Sequence, residues 1–230
     1  MKRFLVPRQS ARTEPSSTER IRDAALKSFA AHGIAATSLR TVAEAAGTSI
    51  GLVQHYYGTK AALIAAVDNY VIQVISDAVE SAPLPAPPED PLAEMGRRLT
   101  TAMAAQPEVF DYLGRALVEG DSIGSEIFDA LVGISRAQER LLTERNQVDP
   151  DLDPVWVALN PLMLRLGAVI LRVHIERHIP EPFFTPAQLR RWDEAVTELI
   201  RDGRCTTFDI GPLRLDRFQQ GDLTVETVVL

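Results

Sequence analysis

The sequence predicts an all-α protein with a small N-terminal head of three helices and a larger helical body. Three observations predict it. Apolar residues recur at 3-, 4- and 7-residue steps from Ile21 onward, and no stretch between Leu92 and Asp202 alternates with a period of two. Glycines punctuate the head at Gly33, Gly47 and Gly58. A run holding five prolines, Ser81 to Pro91, then separates the first long helix from everything after it.

The head begins after a polar, basic stretch, residues 1–16, broken by Pro7 and Pro15 and expected to be a flexible arm. The first helix is expected from Ser17 to His32, with Ser16-Ser17-Thr18-Glu19 offering a capping box and Ile21, Ala25 and Phe29 facing inward. Ser38, or Thr37, stands as N-cap to a second helix whose stripe is Leu39, Val42, Ala43 and Ala46, closed by Gly47. After Thr48 and Ser49 comes a third short helix, with Leu52 or Val53 and then Tyr56 or Tyr57 facing inward. Two short helices joined by a tight glycine turn make a helix-turn-helix. The close crossing needs a small residue, met by Ala43, and an apolar plug ten residues on, met by Val53. The outer face would then carry Ser49, Ile50, Leu52, Gln54 and His55, a mixture suited to base edges, thymine methyls and phosphates.

From Thr18 to about Val67 the chain resembles the DNA-binding domain of the tetracycline-repressor (TetR) family of bacterial regulators. Ile21, Ala24-Ala25, Phe29, Gly33, Thr37-Ser38, Val42-Ala43, Ala46-Gly47, Ser49, Gly51, His55-Tyr56-Tyr57 and Lys60 carry the resemblance. Three positions depart from the usual form: Thr48 for a common valine, Gln54 where tyrosine is frequent, and Tyr57 for phenylalanine. The resemblance implies that Ser49, Ile50, Leu52 and Gln54 approach bases. It assigns Thr37, Ser38, Thr48, His55, Tyr56 and Lys60 to the DNA backbone, with Arg40 reaching a guanine or a phosphate. It further implies an apolar effector pocket in the mid-body, pairing of the last two helices with a second subunit, and repression relieved by a small, largely apolar effector. The partners expected are therefore a palindromic double-stranded operator, a small-molecule effector and a second copy of the chain.

Charge supports the division. Residues 1–60 hold nine Lys/Arg against four Asp/Glu, whereas the remaining 170 hold 15 against 27. A cationic head on an acidic body suits DNA docking, because counterion release depends on charges near the phosphates and not on the net −7 of the whole. One cysteine, Cys205, excludes an intramolecular disulfide and suits a reducing cytoplasm. No uninterrupted run of 18 apolar residues reads as a membrane span, and the basic N-terminus lacks a signal peptide's apolar core.

The helix-turn-helix domain is placed at 17–62 and the effector-binding and dimerisation domain at 63–202, with a C-terminal tail at 203–230. A fourth helix, Lys60 to Val79, leads from head to body and is the expected lever between ligand and DNA. Lys60 at its N-terminus is expected to point an ammonium toward a phosphate. Beyond the prolines, helices are expected at Leu92–Ala105, Glu108–Glu119, Ser125–Gln147, Pro154–His178 and Pro186–Asp202, with Pro161 either kinking the fourth of these or marking its start. In the tail, DLTVETVVL alternates weakly and reads as either a strand or a mobile end.

Candidates for the pocket are Met95, Leu99, Met103, Phe110, Tyr112, Leu113, Trp156, Leu159 and Met163, with Arg115 or Arg165 meeting an anionic head. Candidates for the dimer interface are Leu166, Ile170, Val173, Trp192, Val196 and Leu199. His174 and His178 have zinc-ligand spacing but no HExxH and no nearby cysteine, so no metal or cofactor is expected. No nucleophile elbow is present. The remaining alternative is a helical-bundle enzyme or ligand carrier with a vestigial DNA-binding module.

Overall fold

Each helix of the head starts on a hydroxyl that accepts an orphan backbone N–H. In the computed structural model, which describes residues 15–85, 88–119, 122–149 and 151–202, α1 (Ser17–His32) is capped by Ser16. Its Oγ accepts from the Glu19 N–H while the Glu19 carboxylate accepts from the Ser16 N–H at 2.7 Å, the reciprocal capping box. Ser38 caps α2 (Leu39–Ala45), Ser49 caps α3 (Ile50–Tyr57) and Thr59 caps α4 (Lys60–Glu80). Such a cap contributes about 1 kcal/mol.

The turn of the helix-turn-helix is a Schellman closure: Thr48 N–H donates to Ala43 O at 2.9 Å and Gly47 N–H to Glu44 O at 3.2 Å. It needs Gly47 in the left-handed region, φ 64°. A β-carbon there would be strained even though nothing lies within 4 Å of it.

The body continues with α5 (Pro91–Ala105), α6 (Pro107–Glu119), α7 (Ser122–Glu144), α8 (Pro154–Ile170), α9 (Arg172–Ile175) and α10 (Pro186–Asp202). Asp90 and Asp153 cap α5 and α8, each followed by a proline at the first helical position. No strand occurs among the described residues. Residues 1–14 of the expected arm, and the whole 203–230 tail with its candidate strand, lie outside them.

Two helices differ from expectation. The segment read as one helix from Pro154 to His178 breaks after Ile170, and Pro161 sits within α8 and does not start it. The break has a non-local cause. Arg172 pairs with Asp111 of α6 at 2.8 Å and with Glu176 at 3.0 Å, and lies over the Phe184 ring, while Glu176 accepts the Phe183 N–H. The chain turns around this guanidinium. α7 ends at Glu144, three residues early, because Asn146 adopts φ 56° and Gln147 N–H closes back onto Leu142 O. An asparagine there does what glycine does at Gly47.

The proline connection is held by arginines, which supply the donors that prolines lack. Buried Arg98 donates to the carbonyls of Val79, Ala82 and Pro83 and is paired with Glu94 at 2.7 Å. Arg145 donates to Pro85 O at 2.9 Å.

Head and body share one core. Ile21, Ala25 and Phe29 of α1, Val42 and Ala43 of α2, and Val53 of α3 join Leu63, Val67 and Val71 of α4. They are continuous with Val109, Phe110, Tyr112 and Leu113 of α6 and with Ile127 and Leu131 of α7. α1 packs along α6, with the Phe29 and Tyr112 rings 6.2 Å apart, and Arg115 of α6 donates from Nε to Ala30 O at 3.0 Å. By length and composition α4 is apolar enough to cross a membrane. Its Leu63, Ile64, Val67, Val71 and Ile75 are instead buried within this core.

A buried polar pair joins α4 to α6. Tyr112 Oη donates to Asp68 Oδ1 at 2.5 Å, and burial pushes the Asp68 carboxyl up to about 6. A carboxyl raised in the folded state favours the neutral form there. The stability this contributes is complete below about pH 4 and is lost as pH rises through about 6. Asp68→Asn should therefore gain stability relative to the parent between pH 5 and pH 7.5 in urea titrations. An unchanged difference would mean that the carboxyl titrates normally.

Candidate DNA interface, cavity and outer face

The crossing of α2 and α3 buries Ala43 and Val53, and the third helix turns Tyr57 inward, where its hydroxyl donates to Thr18 O at 2.8 Å. That leaves Ile50, Gly51, Gln54, His55 and Tyr56 exposed on the outer face, with Leu52 half-buried at its edge. Ile50 and Tyr56 are each 45% exposed, large for apolar surface on so short a helix. The His55 and Tyr56 rings meet edge to face at 5.3 Å. Ser38 and Ser49 stand exposed at the starts of α2 and α3, with Arg40 exposed beside them and Thr48 half-buried in the turn.

Two expected backbone contacts are placed differently. Thr37 is 2% exposed, and its hydroxyl donates to Gly33 O at 2.8 Å and Ser28 O at 3.3 Å. It fastens the loop after α1 and has no access to DNA. Lys60 does not point outward: its Nζ donates to Ile34 O at 2.5 Å and reaches Ala35 O at 3.4 Å. The ammonium ties the start of α4 to the loop between α1 and α2, so head and lever are joined at this residue. Thr41 and Thr59, not singled out in the sequence, place exposed hydroxyls at the same helix starts.

In the body, a small cavity of about 90 Å³ lies between α4, α5, α7 and α8. Met95 and Leu99 line it together with Ile75, Leu131, Ile134, Ser135, Gln138, Leu162 and Arg165. The α7 contribution was missed; its signal was the 3- and 4-residue spacing of Leu131, Ile134, Ser135 and Gln138. Met103, Phe110, Tyr112 and Leu113 are not lining residues, for each is at most 2% exposed and packed into the common core. Leu159 is half-buried and stands apart from this cavity. Arg165 is not a free cation either. It pairs with Asp193 at 2.8 Å and lies 5.9 Å from the Trp192 ring centroid. Arg115 is far from the cavity, on the α1–α6 surface beside Glu119.

Trp156 and Met163 face outward, 52% and 54% exposed. With Leu164 and, from α10, Leu199 they line an open apolar groove between the last two long helices. Ile170 and Val173 extend the exposed apolar row, and Val155 and Leu171 add to it. Leu166 and Val196 do not belong to it, being buried at 8% and 6%. Trp192 is half-buried against the Phe183 ring. Trp192 and Val196 pack with Leu92 and Ile200 into this chain's own core, whereas Leu199 faces out. His174 and His178 are both exposed.

A helix-turn-helix head is continuous with an all-helical body, and comparison finds known proteins of the same build. Residues 21–67 match the family model for bacterial regulatory proteins of the tetR family. A 137-residue stretch, 59% of the chain, is 31% identical to the HTH-type transcriptional regulatory protein RaaS of Mycobacterium tuberculosis, and the match spans 61% of that relative. The fold is shared with the fatty acid degradation regulator FadR of Bacillus halodurans (TM-score 0.65, 17% identity, 82% of this chain and 96% of the other). It is shared also with FadR of Bacillus subtilis, solved in complex with stearoyl-CoA (TM-score 0.66, 16% identity, 80% and 98%). Over residues 21–67 the chain thus carries a DNA-binding domain like that of the TetR family of bacterial regulators, and the whole described chain shares the all-helical fold of TetR-family structures.

Proposed function

We propose that the protein is a sequence-specific transcriptional repressor. On this reading two copies pair through α8 and α10, and each lays α3 in the major groove of one half of a palindromic operator. The observation that carries this reading is the outer face of α3, where Ile50, Gln54, His55 and Tyr56 stand exposed with no partner element over them. Pairing through α8 and α10 is supported by the apolar row from Trp156 to Val173, more exposed apolar surface than a lone helix face normally leaves to water.

Release by an effector would have to reckon with the size of the cavity. A volume of about 90 Å³ is well below the ~300–1,000 Å³ of small-molecule pockets. A ligand of more than a few heavy atoms enters only if α4 parts from α5, α7 and α8. An acyl chain like that of the stearoyl-CoA bound by the Bacillus subtilis relative would need such a parting. Because Lys60 ties the first residue of α4 to the head and Asp68 ties its middle to α6, displacing α4 moves the recognition helix. The effector then acts by binding the parted state more tightly, a population shift. The experiment is selection of bound duplexes from a randomised library by the full chain, followed by a screen of apolar compounds for release of the selected duplex. Enrichment of a two-fold symmetric sequence supports the reading. A library returned unenriched at low ionic strength contradicts it.

A further inference from the structure

We propose that the base pairs lying under α3 are A·T pairs, with Gln54 reading an adenine and Ile50 packing against a thymine methyl. This rests on the DNA-binding reading above and specifies its partner. The motivating observation is what the exposed face of α3 lacks. Over Ile50–Tyr57 the helix carries no lysine, arginine, aspartate or glutamate. The commonest reader of guanine is a bidentate arginine or lysine on O6 and N7, and the reader of cytosine is a carboxylate accepting from N4. Neither chemistry is present on this helix. The groups that are present are an exposed amide at Gln54, whose paired donor and acceptor match adenine N6 and N7, and the branched alkyl chain of Ile50. Gly51 lies between them in sequence, and beyond Ser49 Oγ at 3.8 Å a β-carbon there meets nothing. The helix can therefore approach the bases closely at the turn that carries Ile50 and Gln54.

The neighbouring cations do not fill the gap. Lys60 is engaged with the Ile34 and Ala35 carbonyls. Arg40 is exposed on α2 and paired with Glu44 at 3.2 Å, an ion pair so solvated that DNA can displace it. Guanine reading, where the operator has it, falls to Arg40 at the flank of the α3 footprint.

The test compares the full chain with its Gln54→Ala and Arg40→Ala variants on a randomised duplex library, each checked for helical content and melting temperature; both side chains are exposed. The parent should enrich A·T at the positions whose preference collapses in Gln54→Ala. At such a position A·T→G·C should weaken parental binding roughly tenfold or more, and Gln54→Ala binding by no more than about twofold. Any enriched G·C pair should instead depend on Arg40. Enrichment of G·C at the Gln54-dependent positions overturns the proposal, as does a Gln54→Ala loss equal on all duplexes, and either leaves the regulator reading standing. No enrichment by the parent overturns both.

Discussion

Asp193→Ala is expected to lower the free energy of unfolding by about 3 kcal/mol, because it strands the Arg165 guanidinium in the interior. The two side chains are 14% and 11% exposed and meet at 2.8 Å, so neither charge is well solvated. Nothing else replaces the carboxylate. Trp192 offers Arg165 only a ring face, and Gly96 of α5 packs so closely on the Asp193 carboxylate that even a β-carbon has no room. Urea titration of the single variants and of Arg165→Met/Asp193→Ala separates two meanings of the loss. If the cost is an uncompensated charge, the double variant recovers most of it, since apolar groups of similar volume often replace a buried pair at little cost. If the double variant stays as unstable as the single, the pair matters for α5–α10 packing, and the charge argument fails. The same pair bears on the effector proposed above. Arg165 lines the cavity with its charge already balanced, which favours an uncharged ligand over the anionic head that the sequence suggested.

Met163→Glu is expected to leave each chain folded while weakening operator binding by about 100-fold or more, because two half-sites are then engaged independently. The residue is 54% exposed within one chain and lies mid-way along the apolar row of α8. A carboxylate there is harmless to a lone subunit and costly in a two-fold interface, which would bury one unpaired charge from each copy. Sedimentation should show a monomer and circular dichroism an unchanged fold. A variant that stays dimeric and binds as before would place the subunit contact elsewhere.

Local chemistry was legible in the sequence, and anything set by distant contacts was not. Ser16, Ser38, Gly33 and Gly47 could be read because capping and left-handed turns are decided within a few residues. The choice of Tyr57 over Tyr56 needed the contact of α3 with α1, where the Tyr57 hydroxyl donates to the Thr18 carbonyl. Thr37 looked like a DNA contact because threonines at helix starts usually are exposed. Its burial depends on the Ser28 carbonyl, nine residues back. Lys60 was misplaced for the same reason, since its acceptors Ile34 and Ala35 belong to another loop. Leu99 and Met103 are both apolar residues of α5, and only tertiary packing puts one at a cavity and the other in solid core. The end of α8 was invisible because Asp111, which holds Arg172, is sixty-one positions earlier.

In the proposed complex, two copies of α3 enter successive major grooves of one duplex from the same side. Hydroxyl-radical footprinting of the full chain on its selected duplex measures this directly. The account predicts two protected patches related by a dyad, their centres about 34–36 Å or a multiple of that apart along the helix axis. A single asymmetric patch, or uniform protection without register, would contradict it.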